Sequence, residues 1–247
     1  MTRAITKLLA TFALWTIPGF TAPAAEQVLW QVGKPDKSYA EFAIARNYPA
    51  FQARFGKQPV VFEIGRSDPA QDWPFIQPGP VDAWAGRREH PFTIRFALAD
   101  EPRGLFVMRV ALVDVHAGST PSLRLSVGGQ TGQFPLQPGG GDASLSDPAA
   151  GRPQAVEIPL PASLFQRGTN EIVLTAEQGA WLEYDAVTLA NDPQVNTAAP
   201  DIQSVSVEPT PLIIRQDGRS RRVLVAKVTP TAPAADLTLR VTAGGEN

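Results

Sequence analysis

The stretch between residues 68 and 90 contains the side chains best suited to bind a ligand. It holds Trp73 and Trp84, with Asp72 and Arg87 close by in sequence. An indole ring offers a flat apolar face on which a sugar ring can stack, and nearby polar groups can bind the sugar's hydroxyls. These four residues are therefore candidates for carbohydrate binding. The alternative is that both Trp residues fill the core, because large aromatic side chains are buried on average.

Two histidines and several loop carboxylates are the remaining candidates for chemistry. His116 directly follows a predicted strand, and the loops at strand ends are where β-sandwiches form binding sites, so His116 is a further binding candidate. His90 precedes a proline at the start of a strand. Asp68, Asp72 and Asp82 lie in one loop region, but their spacing does not distinguish a catalytic pair from solvated side chains. We therefore predict no catalytic residue.

The elements that must position these residues are β-strands. Four large apolar residues alternate with other residues along positions 91–99, which is the two-residue period of a half-buried strand. Gly128 and Gly129 supply the positive φ angles of a tight turn. Residues 38–58 are predicted to be a long loop with a helical turn that Pro49 stops. Further strands are predicted at Leu105–Val115, Ser122–Val127, 133–136, 155–160, 171–175 and 181–189.

Composition agrees with an all-β protein and excludes several classes of function. Hydrophobic residues make up 43% of the chain, enough for a sizeable core, and the 20 Gly and 24 Pro favour many turns. The formal net charge is -2 without a basic stripe, which argues against a nucleic-acid partner. The absence of cysteine excludes disulfides, thiolate nucleophiles and zinc–thiolate sites.

Residues 1–24 are predicted to be a secretory signal peptide. Arg3 and Lys7 precede an apolar stretch at 8–20, and Ala22 and Ala24 form a small-x-small cleavage pattern. A membrane anchor is the alternative, but the apolar stretch is short of the ~20 residues that a span needs. The protein is therefore expected to be exported, to the periplasm or outside the cell, without membrane contact after cleavage.

Two folded regions are predicted after the signal peptide. Residues 26–192 form the first β domain, and residues 193–200 read as a linker. Strand patterns then restart at 202–207, 223–228 and 237–241, spaced as in an immunoglobulin-like or fibronectin-like domain. Three strands are too few to complete such a domain. Residues 201–247 are therefore expected to be its start, and further domains are expected downstream.

Five segments occur in an order that matches one known domain, and they are residues 30–33 with Asp36, 72–75, Phe92–Leu98, 167–174 and 184–189. Together they resemble the C-terminal, carbohydrate-binding-module-like domain of rhamnogalacturonan lyases in polysaccharide lyase family 4. The resemblance implies a jelly-roll sandwich of the galactose-binding-like type, attached to a carbohydrate-active enzyme. In those lyases the catalytic domain precedes this module, whereas here the module follows the predicted signal peptide, so no catalytic residue is carried over.

A structural calcium ion is a second implication of the resemblance. In related β-sandwich carbohydrate modules, an Asp at the position of Asp185 helps to hold calcium, and carboxylates suit that hard cation. Asp36 and Glu41 would reach the same ion if the first and last strands are neighbours. The alternative is that Asp185 caps a turn by accepting hydrogen bonds from backbone N–H groups.

Three functions are compatible with this sequence. The first, which we favour, is a non-catalytic module that binds a polysaccharide or oligosaccharide within an exported polysaccharide-degrading enzyme. The second is an enzyme of the rhamnogalacturonan lyase type, or a fragment of one, which would need a general base beside a cationic group. The third is a structural spacer or protein-interaction module, in which the Trp residues would be buried in the core.

Overall fold

The computed structural model describes residues 26–194, 202–216 and 219–230 of the chain. The predicted signal peptide, most of the predicted linker and the predicted strand at 237–241 lie outside these ranges. Among the described residues, no helix is long and apolar enough to cross a membrane.

The described chain is mostly β-strand. Its two short α-helices are α1 (Phe51–Arg54) and α2 (Pro69–Asp72), and 3-10 turns occur at Tyr48–Ala50, Ala83–Ala85, Asp142–Leu145, Pro148–Ala150 and Ala162–Leu164. The strands are β1 (Gln27–Gly33), β2 (Val60–Glu63), β3 (Ile76–Gln77), β4 (Phe92–Leu98), β5 (Leu105–Val115), β6 (Ser122–Val127), β7 (Gln130–Pro135), β8 (Gln154–Pro161), β9 (Gly168–Glu177), β10 (Leu182–Asp192), β11 (Ile202–Gln216) and β12 (Arg219–Pro230).

Ten of these strands form the two sheets of a β-sandwich. The first sheet has the order β1-β10-β5-β8, with β3 also paired to β10, and the second has the order β2-β4-β9-β6-β7. Neighbouring strands are antiparallel except for β2 and β4, which are parallel. This two-sheet, all-β architecture confirms the predicted fold class.

Alternating apolar residues form the inner faces of both sheets, and these faces are buried. In β4 the side chains of Phe92, Ile94 and Phe96 are buried, as their two-residue period predicts. Rings from opposite sheets meet in the core, where the centroids of Trp30 and Phe96 lie 5.4 Å apart and those of Phe92 and Tyr184 lie 6.0 Å apart. Contacts of this kind between large buried rings fix how the two sheets stack.

A buried amide also joins the two sheets. The Gln77 Nε2 group on β3 donates to Leu174 O on β9 at 2.8 Å and to His90 O at 2.6 Å. The Tyr184 hydroxyl on β10 donates to Gln77 Oε1 at 2.6 Å. The polar atoms of this fully buried side chain are therefore satisfied inside the core, as buried polar groups require.

The region between β1 and β4 differs from the sequence-based expectation. The helical turn begins around Pro49, as the 3-10 turn and α1, rather than ending there, because proline is well tolerated in the first turn of a helix. Strands β2 and β3 were not predicted, since runs of four and two residues are too short to show a period.

Strands β11 and β12 form an antiparallel two-stranded sheet. They include the predicted strand segments 202–207 and 223–228 and extend beyond both of them. The immunoglobulin-like or fibronectin-like character of this region stays a prediction.

Candidate functional site

Five loops lie together at one end of the sandwich, which is called the loop end below. The pairing of Leu182 with Val115, of Gly33 with Ala186 and of Val60 with Phe92 places these strand termini at the same end. The pairing of Ser122 with both Glu177 and Pro135 adds the neighbouring termini. The loops that meet there are residues 34–59, 78–91, 116–121, 136–153 and 178–181.

Strained backbone is concentrated at the loop end. Among the described residues, every non-glycine residue with a positive φ lies in one of these loops: Lys37 (65°), Ile44 (56°), Arg46 (61°), Arg87 (52°) and Gln178 (67°). A side chain in this left-handed region costs roughly 1–2 kcal/mol, and such residues cluster at functional sites. Three of the five are cationic, so positive charge is presented from a constrained backbone.

Loops 34–59 and 78–91 pack against each other and are together called the basic loop pair. The Trp84 ring lies edge-on to Tyr48 (5.1 Å) and Phe51 (6.0 Å), and the Arg88 guanidinium donates to Gly56 O. The two loops hold only four carboxylate side chains against a larger set of exposed cationic side chains: Lys34, Lys37, Arg46, Arg54, Lys57, Arg87 and Arg88. The surface is therefore suited to an anionic ligand.

Trp84 and Arg87 lie in this surface, next to a buried carboxylate. Trp84 is half-buried and Arg87 is exposed. Burial raises the pKa of Asp82 to about 6, although hydrogen bonds from the Gly79 backbone and the Trp84 side chain act in the opposite direction. The Gly79 N–H donates to Asp82 Oδ2 at 2.9 Å. Asp82 thus orders the loop that presents Trp84 and Arg87.

His116 is brought to the same end of the molecule. Its positive form would lower the pKa of Asp82, which places the two side chains within electrostatic range. Its Nδ1 atom accepts a hydrogen bond from Ser119 N at 2.8 Å, and its ring lies 5.5 Å from that of Trp181. In the neutral ring the proton is therefore on Nε2, which can donate to a ligand.

Trp73 and Asp72 do not contribute to this surface. Trp73 has 0% exposure and packs edge-on against Phe92 and Tyr184 at 5.1 and 5.2 Å, so no face of its ring is open to a sugar. Asp72 ends α2, and its Oδ2 atom accepts from Asp68 N at 2.9 Å. The core-filling alternative therefore describes Trp73, and Asp72 stabilises a helical turn.

The predicted calcium ligands are neighbours, but their geometry does not fit a cation. Three backbone N–H groups, from Asp36, Lys37 and Ser38, donate to Asp185 Oδ1 at 2.8–3.3 Å. They direct positive partial charge towards the oxygen that a cation would need. Glu41 Oε1 likewise accepts from Lys34 N at 2.6 Å. The turn-capping alternative therefore describes Asp185, and calcium at this position stays a prediction.

A cavity of about 940 Å³ lies at the opposite end of the sandwich, beside loop 99–104 and Arg167. Leu29, Trp30, Phe96 and Phe106 contribute apolar surface to its lining. This cavity was not predicted, because it lies between strands that are far apart in the chain. Trp30 is 7% exposed and belongs mainly to the core.

The comparison with protein families decides the family. The model described as "CBM-like: Polysaccharide lyase family 4, domain III" matches residues 28–189. This chain belongs to that family. The match covers both sheets of the sandwich and confirms the resemblance seen in the sequence.

One relative agrees with this assignment. A rhamnogalacturonate lyase of Dickeya dadantii (strain 3937) is 29% identical over 183 residues, which are 67% of this chain and 28% of the relative. The chain thus spans less than a third of that lyase's length.

Two solved structures show weaker likeness. A family 35 carbohydrate binding module from an environmental isolate is 15% identical, with a TM-score of 0.28, over 43% of this chain and 67% of the module. A 4-O-methyl-α-glucuronidase with specificity for decorated arabinogalactans is 13% identical, with a TM-score of 0.32, over 70% of this chain and 19% of the enzyme.

Proposed function

We propose that the family 4 domain III sandwich binds a polysaccharide at its loop end, as an accessory module without catalysis. The observation that carries the proposal is the basic loop pair, which holds seven exposed Lys and Arg side chains, three of them on residues with a positive φ, together with the half-buried ring of Trp84. An aromatic face with placed polar groups is a common way to bind sugars. The family name and the Dickeya lyase support a polysaccharide as the ligand.

The charge of the surface favours sugars that carry carboxylates. Arg binds a carboxylate through two parallel hydrogen bonds, and this geometry selects a uronate over a neutral sugar. Arg87 is exposed and follows Gly86 in a turn that both residues build with positive φ angles, so its side chain starts from a fixed position. We therefore infer a uronate-containing polysaccharide rather than a neutral glucan or mannan.

The test is binding of the full chain to a panel of polysaccharides, with rhamnogalacturonan and homogalacturonan on one side and galactan and mannan on the other. We expect saturable binding to the acidic polymers that weakens as salt is added, because ionic contacts are screened. The variants Trp84→Ala and Arg87→Ala should each weaken binding by about tenfold or more, whereas Arg167→Ala, an exposed cation at the opposite end, should not. Equal binding by all variants would contradict the assigned surface.

Export is the second part of the proposal. The first 24 residues fit a signal peptide, with a positive start, an apolar stretch and a small-x-small cleavage pattern. The test is fractionation of cells that produce the chain, with sequencing of the mature N-terminus. Cleavage after Ala24 and recovery outside the cytoplasm are expected, whereas an intact N-terminus in the cytoplasm would contradict export.

A further inference from the structure

The cavity at the opposite end of the sandwich lies apart from the basic loop pair and has the size of a small-molecule site. Its volume of about 940 Å³ falls within the roughly 300–1,000 Å³ that such sites occupy. Its walls come from the first residues of β1 and β5, the last residues of β4 and the loop at residues 99–104. The cavity therefore lies between the two sheets, because β1 and β5 belong to one sheet and β4 belongs to the other.

A β-bulge in β1 places Leu29 in the wall of this cavity. Its neighbours Val28 and Trp30 pair with consecutive residues of β10, so Leu29 is an extra residue without a cross-strand partner. Bulges re-aim side chains and are frequent beside binding sites. Leu29 is 37% exposed, so this large apolar side chain is presented at the cavity rather than packed in the core.

The protein itself holds the walls of the cavity in place. The Asn191 Nδ2 group donates to Arg103 O at 2.9 Å, which fixes the loop at 99–104 against the end of β10. Gly104 has a φ of 77°, and a Cβ atom there would overlap Asp192 O. Glycine is therefore required for this close approach of loop and strand. A site that is formed before its ligand arrives loses less ordering entropy on binding.

The rim of the cavity carries charges of both signs. The exposed side chains of Asp100, Glu101 and Arg103 lie at the rim, and Arg167 adds a second positive charge, so acidic and basic groups balance two against two. Within the described ranges, none of these four side chains forms a salt bridge or a hydrogen bond. This balance differs from the basic loop pair and favours an uncharged ligand.

A buried donor in the wall also lacks a partner. The Trp30 side chain is 7% exposed, and its Nε1–H group has no acceptor among the described residues. A buried indole N–H usually forms a hydrogen bond. Because Trp30 is part of the cavity wall, an oxygen atom of a ligand that reaches this wall would supply the acceptor. The lining thus favours a ligand that combines apolar surface with oxygen atoms.

We propose that this cavity is a second binding site, and that its ligand is a short uncharged oligosaccharide or the uncharged end of a longer sugar chain. A sugar ring has apolar C–H faces that can pack on Leu29, and hydroxyl groups that both donate to carboxylates and accept from guanidinium groups. A purely apolar ligand would instead remove the charged groups of Glu101 and Arg103 from water without replacing their hydrogen bonds.

The position of the cavity selects chain ends. Because it lies between the two sheets rather than along one face, the middle of a long polymer would not enter it. The site is independent of the basic loop pair, which lies at the other end of the sandwich and is assigned to acidic polymers. One domain would then hold two different sugars at its two ends.

The experiment is calorimetric titration of the full chain with galactotetraose and mannotetraose, and separately with an oligogalacturonide of the same length. At least one neutral tetrasaccharide should bind at one site per chain, and about 1 M NaCl should change its affinity by less than about twofold, because no net charge is screened. Absence of binding by both neutral tetrasaccharides would overturn the proposal. That result would leave the assignment of acidic polysaccharides to the basic loop pair unaffected.

Variants locate the neutral ligand. Leu29→Ser removes part of the apolar wall, Ala99→Trp fills the cavity from an exposed position, and each should weaken neutral binding by about tenfold or more. Val28→Ser is the matched control, because Val28 is the neighbouring apolar residue of β1, is 54% exposed and is not part of the cavity wall. It should retain binding, as should Trp84→Ala. Neutral binding that is lost in Trp84→Ala but retained in Leu29→Ser and Ala99→Trp would overturn the site.

Discussion

The two ends of the sandwich differ in which residues adopt a positive φ angle. At the opposite end, positive φ angles fall on glycine, at Gly104, Gly128 and Gly129. At the loop end they also fall on residues with long side chains, such as Lys37, Arg46 and Arg87. Glycine adopts this conformation without steric cost, whereas other residues do not. The difference shows that the loop end carries backbone strain which the opposite end avoids.

The largest effect should come from Trp73, which belongs to the buried core rather than to the binding surface. Trp73→Ala should lower the free energy of unfolding by about 3–5 kcal/mol, because it empties a large volume in a packed core. Trp84→Ala should cost less than half as much, since this ring is half-buried. Urea unfolding followed by circular dichroism measures both. A larger loss for Trp84 than for Trp73 would contradict the division between scaffold and surface.

The next effect tests the glycine turns of the opposite end. Gly128→Ala should destabilise the chain by about 2–3 kcal/mol, because its φ is 55° and the added Cβ would overlap Leu164 O. Sugar binding measured on the folded fraction should be unchanged. Gly129→Ala is the matched control, since no atom lies within 4 Å of its Cβ position and only the backbone strain applies. Equal losses in the two variants would show that the close approach to Leu164 is unimportant.

A smaller effect concerns pH and the buried carboxylate of the loop end. Because the pKa of Asp82 is raised from 3.8 to about 6, the folded state holds a proton that the unfolded chain releases between these values. The stability that this proton contributes is full below pH 3.8 and is lost as the pH rises through 6, by about 1–3 kcal/mol. Asp82→Asn should remove this part of the pH profile in urea unfolding, and Asp100→Asn, at the opposite end, should not. An unchanged profile in Asp82→Asn would refute the assignment.

The smallest effect on stability should come with the clearest effect on binding. Arg87→Gly relieves a side chain from φ 52° but adds freedom to the unfolded chain, so the free energy of unfolding should change by no more than about 1 kcal/mol. Binding of acidic polysaccharide should nevertheless fall by about tenfold. Lost stability with unchanged binding would mean that Arg87 stabilises the fold and does not bind the ligand. The difference in backbone strain between the two ends would then have no connection with binding.

The sheets could be predicted from the sequence more fully than the loop end. Strands β5 and β6 have the bounds that their apolar patterns predict, because periodicity reports directly on a buried sheet face. The burial of Trp73 and the partial exposure of Trp84 could not be distinguished, since both lie in similar loop sequence and only tertiary packing separates them. The β-bulge at Leu29 could not be predicted either, because it depends on the register between β1 and β10.

Backbone conformation accounts for the rest of the difference. The residue types of Gly128 and Gly129 predict a turn between β6 and β7. Their positive φ angles agree with that prediction. Arg87 and Lys37 give no such sign, because a positive φ is rare for these residue types and is imposed by the surrounding loops. The sequence therefore identified Arg87 as a binding candidate by its charge, but it did not predict the backbone conformation that presents the side chain.

The amide of Gln77 has a consequence for how uniquely the domain folds. Its hydrogen bonds to Leu174 O and from Tyr184 are satisfied together only when the two sheets stack in one alignment, whereas apolar contacts tolerate small slides. Gln77 therefore fixes the alignment of one sheet relative to the other. A chain with Leu at this position would keep a hydrophobic core yet sample several sheet alignments, and the loops carried by both sheets would no longer hold a single shape.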